Sequence, residues 1–258
     1  MGIGKIIDTS RLPVPSPWSR FFTPFLDILF PPLCHVCKAF IPDAGDLHLC
    51  PDCRAASPLI GSPHCTVCGL PFLTEGGIDH RCGGCIEEPP PFAAARAAVL
   101  FEGPVRELVH RFKYGKKVQH SRPLAMLAAL NLGEFVTASA ADLIIPVPLH
   151  VKRLRRRGFN QAILLGKILS RIWRLPLSRN TLSRIRWTEP QIKLTAAERK
   201  QNVRGAFAVK DPAAVKGRRI VLVDDVYTTG STVAECARTL KKAGAEAVFV
   251  VTVARAIG

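Results

Sequence analysis

Two adjacent carboxylates, Asp224 and Asp225, follow the apolar run Ile220-Val221-Leu222-Val223 and precede a hydroxyl-rich turn, Thr228-Thr229-Gly230-Ser231-Thr232. Each part has a chemical use. Gly230 lets the backbone approach a ligand closely, and the four hydroxyls add donors, so the turn can wrap a phosphate. A helical pattern follows, and the first N–H groups of a helix have no intrahelical partner and favour anions. Asp224 and Asp225 lie one step earlier, where they can accept hydrogen bonds from sugar hydroxyls. A ribose 5-phosphate satisfies both halves at once. Two other readings fit less well. A core strand that merely ends in a polar turn leaves the paired acids and clustered hydroxyls without a task. A Walker B strand needs a G-x-x-x-x-G-K-[ST] partner, and at the nearest candidate, Gly166-Lys167, Gln161 stands where the first glycine should be.

A second stretch could handle a diphosphate. Pro146-Val147-Pro148-Leu149-His150 leads into Lys152, Arg153, Arg155, Arg156 and Arg157, then Gly158-Phe159-Asn160-Gln161. This reads as a strand end, a cationic loop, and a helix starting near Asn160. Guanidinium forks beside helix N–H groups suit a leaving diphosphate. The bland alternative is a solvated basic loop. His150 is a candidate proton carrier, but a lone histidine among basic residues reads first as exposed.

Eight of the nine cysteines form four C-x-x-C pairs: Cys34/Cys37, Cys50/Cys53, Cys65/Cys68 and Cys82/Cys85. Such knuckles supply four thiolates for each tetrahedral zinc, so two structural zinc sites are expected. The pairing is sequential, or it is a cross-brace in which the first and third knuckles share an ion. Disulfides are the competing use of these cysteines. No secretory signal is read at the start, and a reducing, cytoplasmic location opposes them. His35, His48, His64 and His80 lie close by and are read as surface residues. The odd cysteine, Cys236, is in helical phase with Val233 and Leu240 and is read as core.

The elements that must position these groups alternate. Residues 1–30 read as a loose segment followed by an amphipathic helix, with Trp18, Phe21, Phe22, Phe25, Leu26 and Leu29 on one face. That run is too short to span a bilayer, so it is expected on the protein's own surface and no membrane span is expected. Residues 31–90 read as the double ribbon, closing with a stiff Glu87-Glu88-Pro89-Pro90-Pro91 linker. From residue 91 to 258, strands at 97–101, 143–145, 220–223 and 247–253 alternate with helical stretches. The helix after the turn carries a capping-box spacing, Thr232 to Glu235. This pattern predicts an α/β fold, a mostly parallel sheet with helices on both faces, and ligands at the carboxyl ends of the strands. The net charge of +16 favours polyanionic partners, among them nucleic acid and phosphorylated metabolites.

The 220–232 segment resembles the phosphoribosyl-pyrophosphate (PRPP) signature of type I phosphoribosyltransferases. That resemblance implies the two acids on the ribose 2′- and 3′-hydroxyls and the turn on the 5-phosphate. The chain as a whole resembles the ComF/GntX family of competence-type proteins. P-V-P-L-H followed by R-G-F-N-Q-A carries the likeness, with Arg184-x-Arg186-x-Thr188-x-x-Gln191-x-x-Leu194 and Glu198-Arg199-x-x-Asn202-Val203-x-Gly205-Ala206-Phe207. The likeness runs from about Leu29 to Val253 and joins a zinc ribbon to a type I phosphoribosyltransferase fold. By resemblance, Pro146, Val147 and Pro148 hold pyrophosphate, Arg153 and Arg157 neutralise it, and Gly158, Asn160 and Gln161 complete that loop. Residues 184–202, with Thr188, Gln191 and Asn202, are by resemblance a mobile loop closing over PRPP. Lys38 departs from the usual ribbon, where glycine is common. The implied activity is displacement of pyrophosphate from PRPP with Mg²⁺ as cofactor. The rival is a non-catalytic adaptor for single-stranded DNA import that contacts DNA and uptake-machinery proteins through the ribbon and the basic stretch. Acceptor and oligomeric state are not legible.

Overall fold

The computed structural model describes residues 31–42, 47–74, 76–115, 117–188 and 195–257. The amphipathic stretch expected at 18–30 lies outside them, as does Gln191. The strands are β1 (Ala94–Leu100), β2 (Leu143–Pro146), β3 (Leu182–Arg184), β4 (Phe207–Val209), β5 (Arg219–Tyr227) and β6 (Ala247–Arg255). The helices are α1 (Pro51–Ala55), α2 (Gly83–Glu87), α3 (Gly103–Tyr114), α4 (Ser121–Ala138), α5 (Val151–Arg157), α6 (Gln161–Trp173), α7 (Ala196–Val203) and α8 (Ser231–Lys242).

Four strands form a parallel sheet in the order β1-β6-β5-β2, while β3 and β4 pair antiparallel beside it. The continuous apolar run Ile220–Val223 is buried because helices cover both faces of the sheet. Alternation then sorts its side chains. Val221 and Val223 join Leu108, Phe112, Leu124 and Leu165 on one face. Ile220 and Leu222 join Val233, Cys236 and Leu240 of α8 on the other. The expected α/β architecture is present, and Cys236 is the core residue it was read to be, fully buried.

Both sheet edges are covered. Along β1, Ile60 N donates to Ala98 O and Leu100 N to Pro58 O. Along β2, Ile144 N donates to Pro176 O and Ser178 N to Ile144 O. Covered edges cannot template pairing with another chain.

Three local expectations change. The cationic stretch is helix α5, not a loop. The His150 side chain caps it by accepting from Lys152 N at 3.2 Å, and Gly158, at φ +87°, ends it. Lysine and arginine are good helix formers, so charge density alone did not prevent the turn. Strand β5 runs on through the carboxylates to Tyr227 instead of stopping at Val223. The Thr232–Glu235 capping box does not form. Gly230, at φ +76°, is the N-cap of α8 and has no side chain to cap it, while the Thr229 hydroxyl lies 3.5 Å from Ser231 N. Glu235 instead accepts from Gly205 N at 2.8 Å and pairs with Arg238. A capping box forms at the start of α7, between Thr195 and Glu198.

Candidate functional site

The eight knuckle cysteines gather in two sets, Cys34/Cys37/Cys50/Cys53 and Cys65/Cys68/Cys82/Cys85, with all sulfurs of a set within 4.8 Å of one another. The pairing is sequential, and the cross-brace is excluded. Four thiolates and no open position are the composition and geometry of a structural zinc site. Backbone N–H groups point at the sulfurs. Cys50 N lies 3.5 Å from Cys34 Sγ, and Cys82 N lies 3.3 Å from Cys65 Sγ. Burial opposes ionisation of Cys34 and Cys65, yet these amides outweigh it and bring both thiols down to about 6. The neighbouring histidines are not all surface groups. His80 is exposed, but His35, His48 and His64 are half-buried. His35 Nδ1 sits 2.8 Å from His120 Nδ1, and His64 N donates to Asp79 at 2.8 Å.

At the carboxyl end of β5, Asp224 is half-buried and Asp225 only 6% exposed. Asp225 N donates to Asp224 Oδ1 at 2.9 Å, so the first carboxylate is held against the second residue's backbone. Burial, then the charge of Asp225, pushes the Asp224 carboxyl up to about 7; Lys113 and Arg184 pull the other way. Lys113 Nζ is 2.9 Å from Asp225 Oδ1. The turn follows directly. Thr228 and Thr229 are exposed, and the Thr229 and Ser231 hydroxyls are 2.9 Å apart. Ser231 and Thr232 open α8. A Cβ on Gly230 would fall 2.2 Å from the Tyr227 hydroxyl, so glycine is required both by its φ and by that close approach.

The Pro146–Pro148 loop lies one strand over. Val147 N donates to Val223 O at 2.9 Å, one residue before Asp224. Asn160 fixes this loop to α6: its Nδ2 donates to Val147 O at 3.0 Å, and its Oδ1 caps the helix through Ala162 N. Gln161 is 2% exposed and accepts from Arg157 Nη1 at 2.6 Å. Asn160 therefore braces the loop from inside, and Gln161 ties the end of α5 to α6. Arg157 also stacks over Tyr114, and Arg153 over Trp187.

Two residues near the acids were not singled out by the sequence: Lys113 lay outside the expected site, and Arg184 entered it only as the first residue of the expected mobile loop. Lys113 ends α3, where a lysine reads as an ordinary partner of the helix dipole. Arg184 stood in a quoted motif, but its position was hidden. It packs over Phe207 and donates to the buried Thr188 hydroxyl. Burial, then the nearby Arg153, lowers its guanidinium to about 10. The Asn202 carbonyl accepts from Arg186 at 3.0 Å.

Residues 25–86 match the double zinc ribbon domain, and residues 164–257 match the phosphoribosyl transferase domain. The chain is 36% identical over 224 residues to "DNA utilization protein YhgH" of Escherichia coli K12, covering 85% of this chain and 95% of that protein. It is 35% identical to "Competence protein F" of Haemophilus influenzae, covering 82% and 94%. The chain belongs to the ComF family. A more distant member, "Competence protein ComFC" of Bacillus subtilis, is 28% identical over 77% of this chain and 80% of that protein. The phosphoribosyltransferase fold and the double ribbon are thus shared family features. Among the described residues, no helix is long and apolar enough to cross a membrane.

Proposed function

We propose that this ComF protein binds Mg²⁺·PRPP at the carboxyl end of β5 and transfers its phosphoribosyl group with release of pyrophosphate. The observation that carries this is the juxtaposition of Asp224 and Asp225 with a hydroxyl-lined, glycine-capped helix start. The α8 amides and the Thr228–Thr232 hydroxyls take the 5-phosphate. Asp224 and Asp225 accept from the ribose hydroxyls, and Lys113 fixes the rotamer of Asp225. Pro146–Pro148 carries the diphosphate, with Arg153 as counter-charge and Arg157, Asn160 and Gln161 as positioning residues. Mg²⁺ fits a site with two adjacent carboxylates and would neutralise charge on the leaving diphosphate. The chain's own contribution is to clamp the ribose and stabilise charge as the bond to the leaving group breaks. Residues 31–90 act as the ribbon and residues 91–258 as the transferase unit, in a cytoplasm reducing enough to keep eight thiolates available for zinc.

A second reading is favoured by one surface. Lys152 and Arg153 each lie 5.7 Å from the Trp187 ring, and His150 lies 5.4 Å from it. An aromatic ring among cations can stack bases of single-stranded DNA, and two relatives are named for DNA utilization and competence.

Calorimetry tests both. Asp224→Asn with Asp225→Asn should weaken Mg²⁺·PRPP at least about tenfold, since a charge-assisted hydrogen bond contributes roughly 1.5–3 kcal/mol. Asp224 accepts fully only when ionised, so affinity should climb as pH rises through about 7, and Asp224→Asn should flatten that part of the profile. Unchanged binding by the double variant sinks the ribose-phosphate assignment. The same titration with oligothymidylate should show a steep salt dependence if the Trp187 surface carries DNA, and no heat at low salt if it does not.

A further inference from the structure

Arg179, Arg184 and Lys210 meet at one cavity of about 270 Å³. Leu149, Leu154 and Ile163 of α6 contribute its apolar lining. Pro146 and Pro148 form a wall shared with the diphosphate loop, whose Val147 is bonded to the residue before Asp224. No acid lines the cavity. Among the described residues, none of the three cations forms an ion pair. The Arg184 Nε is buried without a hydrogen-bond partner.

Cations without an ion-pair partner beside an apolar lining call for an anion with a flat, apolar body. A buried guanidinium nitrogen without a partner costs free energy that a bound acceptor oxygen recovers. The volume falls just below the usual range for drug-sized ligands, roughly 300–1,000 Å³, and suits a single ring. A neutral base would leave the cations unmatched. A free sugar would find little to bond on Leu149, Leu154 and Ile163.

We infer that this cavity holds the acceptor of the transfer, and that the acceptor is a small planar carboxylate, aromatic or heterocyclic. The inference rests on the PRPP reading of the neighbouring site. The acceptor's nucleophilic atom forms a bond to C1 of the ribose as the C1–O bond breaks, its electron pair leaving with the diphosphate. The proton lost by the nucleophile passes to the released diphosphate.

The test uses the full zinc-loaded chain and saturation-transfer NMR. Nicotinate is compared with nicotinamide, and orotate with uracil, with Mg²⁺·PRPP titrated separately by calorimetry. At least one carboxylate should bind tenfold or more tightly than its neutral counterpart. Lys210→Gln and Arg179→Gln, both exposed rim residues, should each weaken that carboxylate several-fold and leave PRPP affinity unchanged. PRPP binding with no preference for either carboxylate overturns the inference and leaves the donor site standing. Carboxylate binding without any PRPP binding overturns the acceptor role together with the donor reading. If inorganic pyrophosphate displaces the carboxylate and the rim variants lose PRPP, the cavity belongs to the donor's diphosphate and the inference fails.

Discussion

The two cysteine ribbons are one local structure built twice and leaned against opposite faces of the same sheet. In the first, Cys34 N donates to Ala39 O, Lys38 N to Cys34 O, and His35 N to His48 O. In the second, Cys65 N donates to Leu70 O, Gly69 N to Cys65 O, and Thr66 N to His80 O. Their supports differ. Cys34, Cys50 and Cys53 share an apolar cluster with α3 and α4, and Arg111 donates to His35 O at 2.7 Å. Cys65, Cys68 and Cys85 share the opposite cluster, with β1 touching them through Ala95 N to Val67 O. Arg255, at the end of β6, donates to Cys68 O at 2.6 Å. The first ribbon thus braces helices and the second braces strands. Metal geometry can be duplicated unchanged while the load it carries is set by what its outer surface meets.

The largest expected difference is in metal loss. Cys34→Ser and Cys65→Ser should each lower zinc content from two ions per chain to one, read by elemental analysis. Structural zinc contributes about 10–16 kcal/mol of apparent binding free energy in small modules, so either loss is severe. Cys65→Ser should lower the thermal midpoint further, because it frees β1 and the end of β6 as well as its own ribbon. Equal midpoints would show that the sheet does not distinguish the two supports.

Much of the site was legible because its determinants are consecutive. An apolar run, two acids and a glycine turn sit within residues 220–232, and local order alone places them at a strand end and a helix start. The sulfur sets were legible for the same reason. Long-range matters were not. The partner of Asp225 is Lys113, eight elements earlier in the chain, and nothing in the α3 pattern marks it. Arg184 becomes a site residue only because Phe207 of β4 stacks on it. The cysteines read as metal ligands, which hid their second role as apolar wall for the sheet. The basic stretch read as a loop because its two end signals depend on local geometry, a side-chain cap from His150 and a left-handed backbone at Gly158.

A smaller difference lies in the knuckle turns. Lys38 and Gly69 occupy matching positions at φ +67° and +70°. A Cβ on Gly69 would lie 2.5 Å from Ala95 O, a backbone atom of β1 that cannot move aside. Gly69→Ala should therefore cost about 2–3 kcal/mol, combining left-handed strain with a clash. Lys38→Gly should do the reverse. It relieves roughly 1–2 kcal/mol of left-handed strain and gives back about 0.5–1 kcal/mol in chain entropy. The net is a stabilisation of up to about 1.5 kcal/mol, measured by denaturant unfolding. A destabilised Lys38→Gly would mean that the lysine side chain supports the first ribbon in a way its weak 3.5 Å contact with His35 O does not suggest.

The smallest difference joins the ribbons to the ligand site. Arg255 is 6% exposed, donates to the Cys68 carbonyl, and lies 4.3 Å over the Tyr227 ring. The Tyr227 hydroxyl packs against Gly230, the residue that turns the chain into α8. Burial raises that phenol to about 12, so it stays neutral and acts by packing. A short row of contacts therefore runs from the second ribbon to the Thr228–Thr232 turn. The first ribbon meets α3 through Arg111, on the helix that carries Lys113, the partner of Asp225. Arg255→Gln should weaken ribose 5-phosphate binding by about three- to tenfold, close to 1 kcal/mol, the size of one well-packed cation–π contact. Arg111→Gln should change it less than about twofold, because a half-exposed arginine on a carbonyl contributes little beyond its own helix. Calorimetry at fixed zinc content reads both. If the two variants behaved alike, the second ribbon would be a brace for β6 with no hold on the turn, and the different supports of the two ribbons would matter for stability alone.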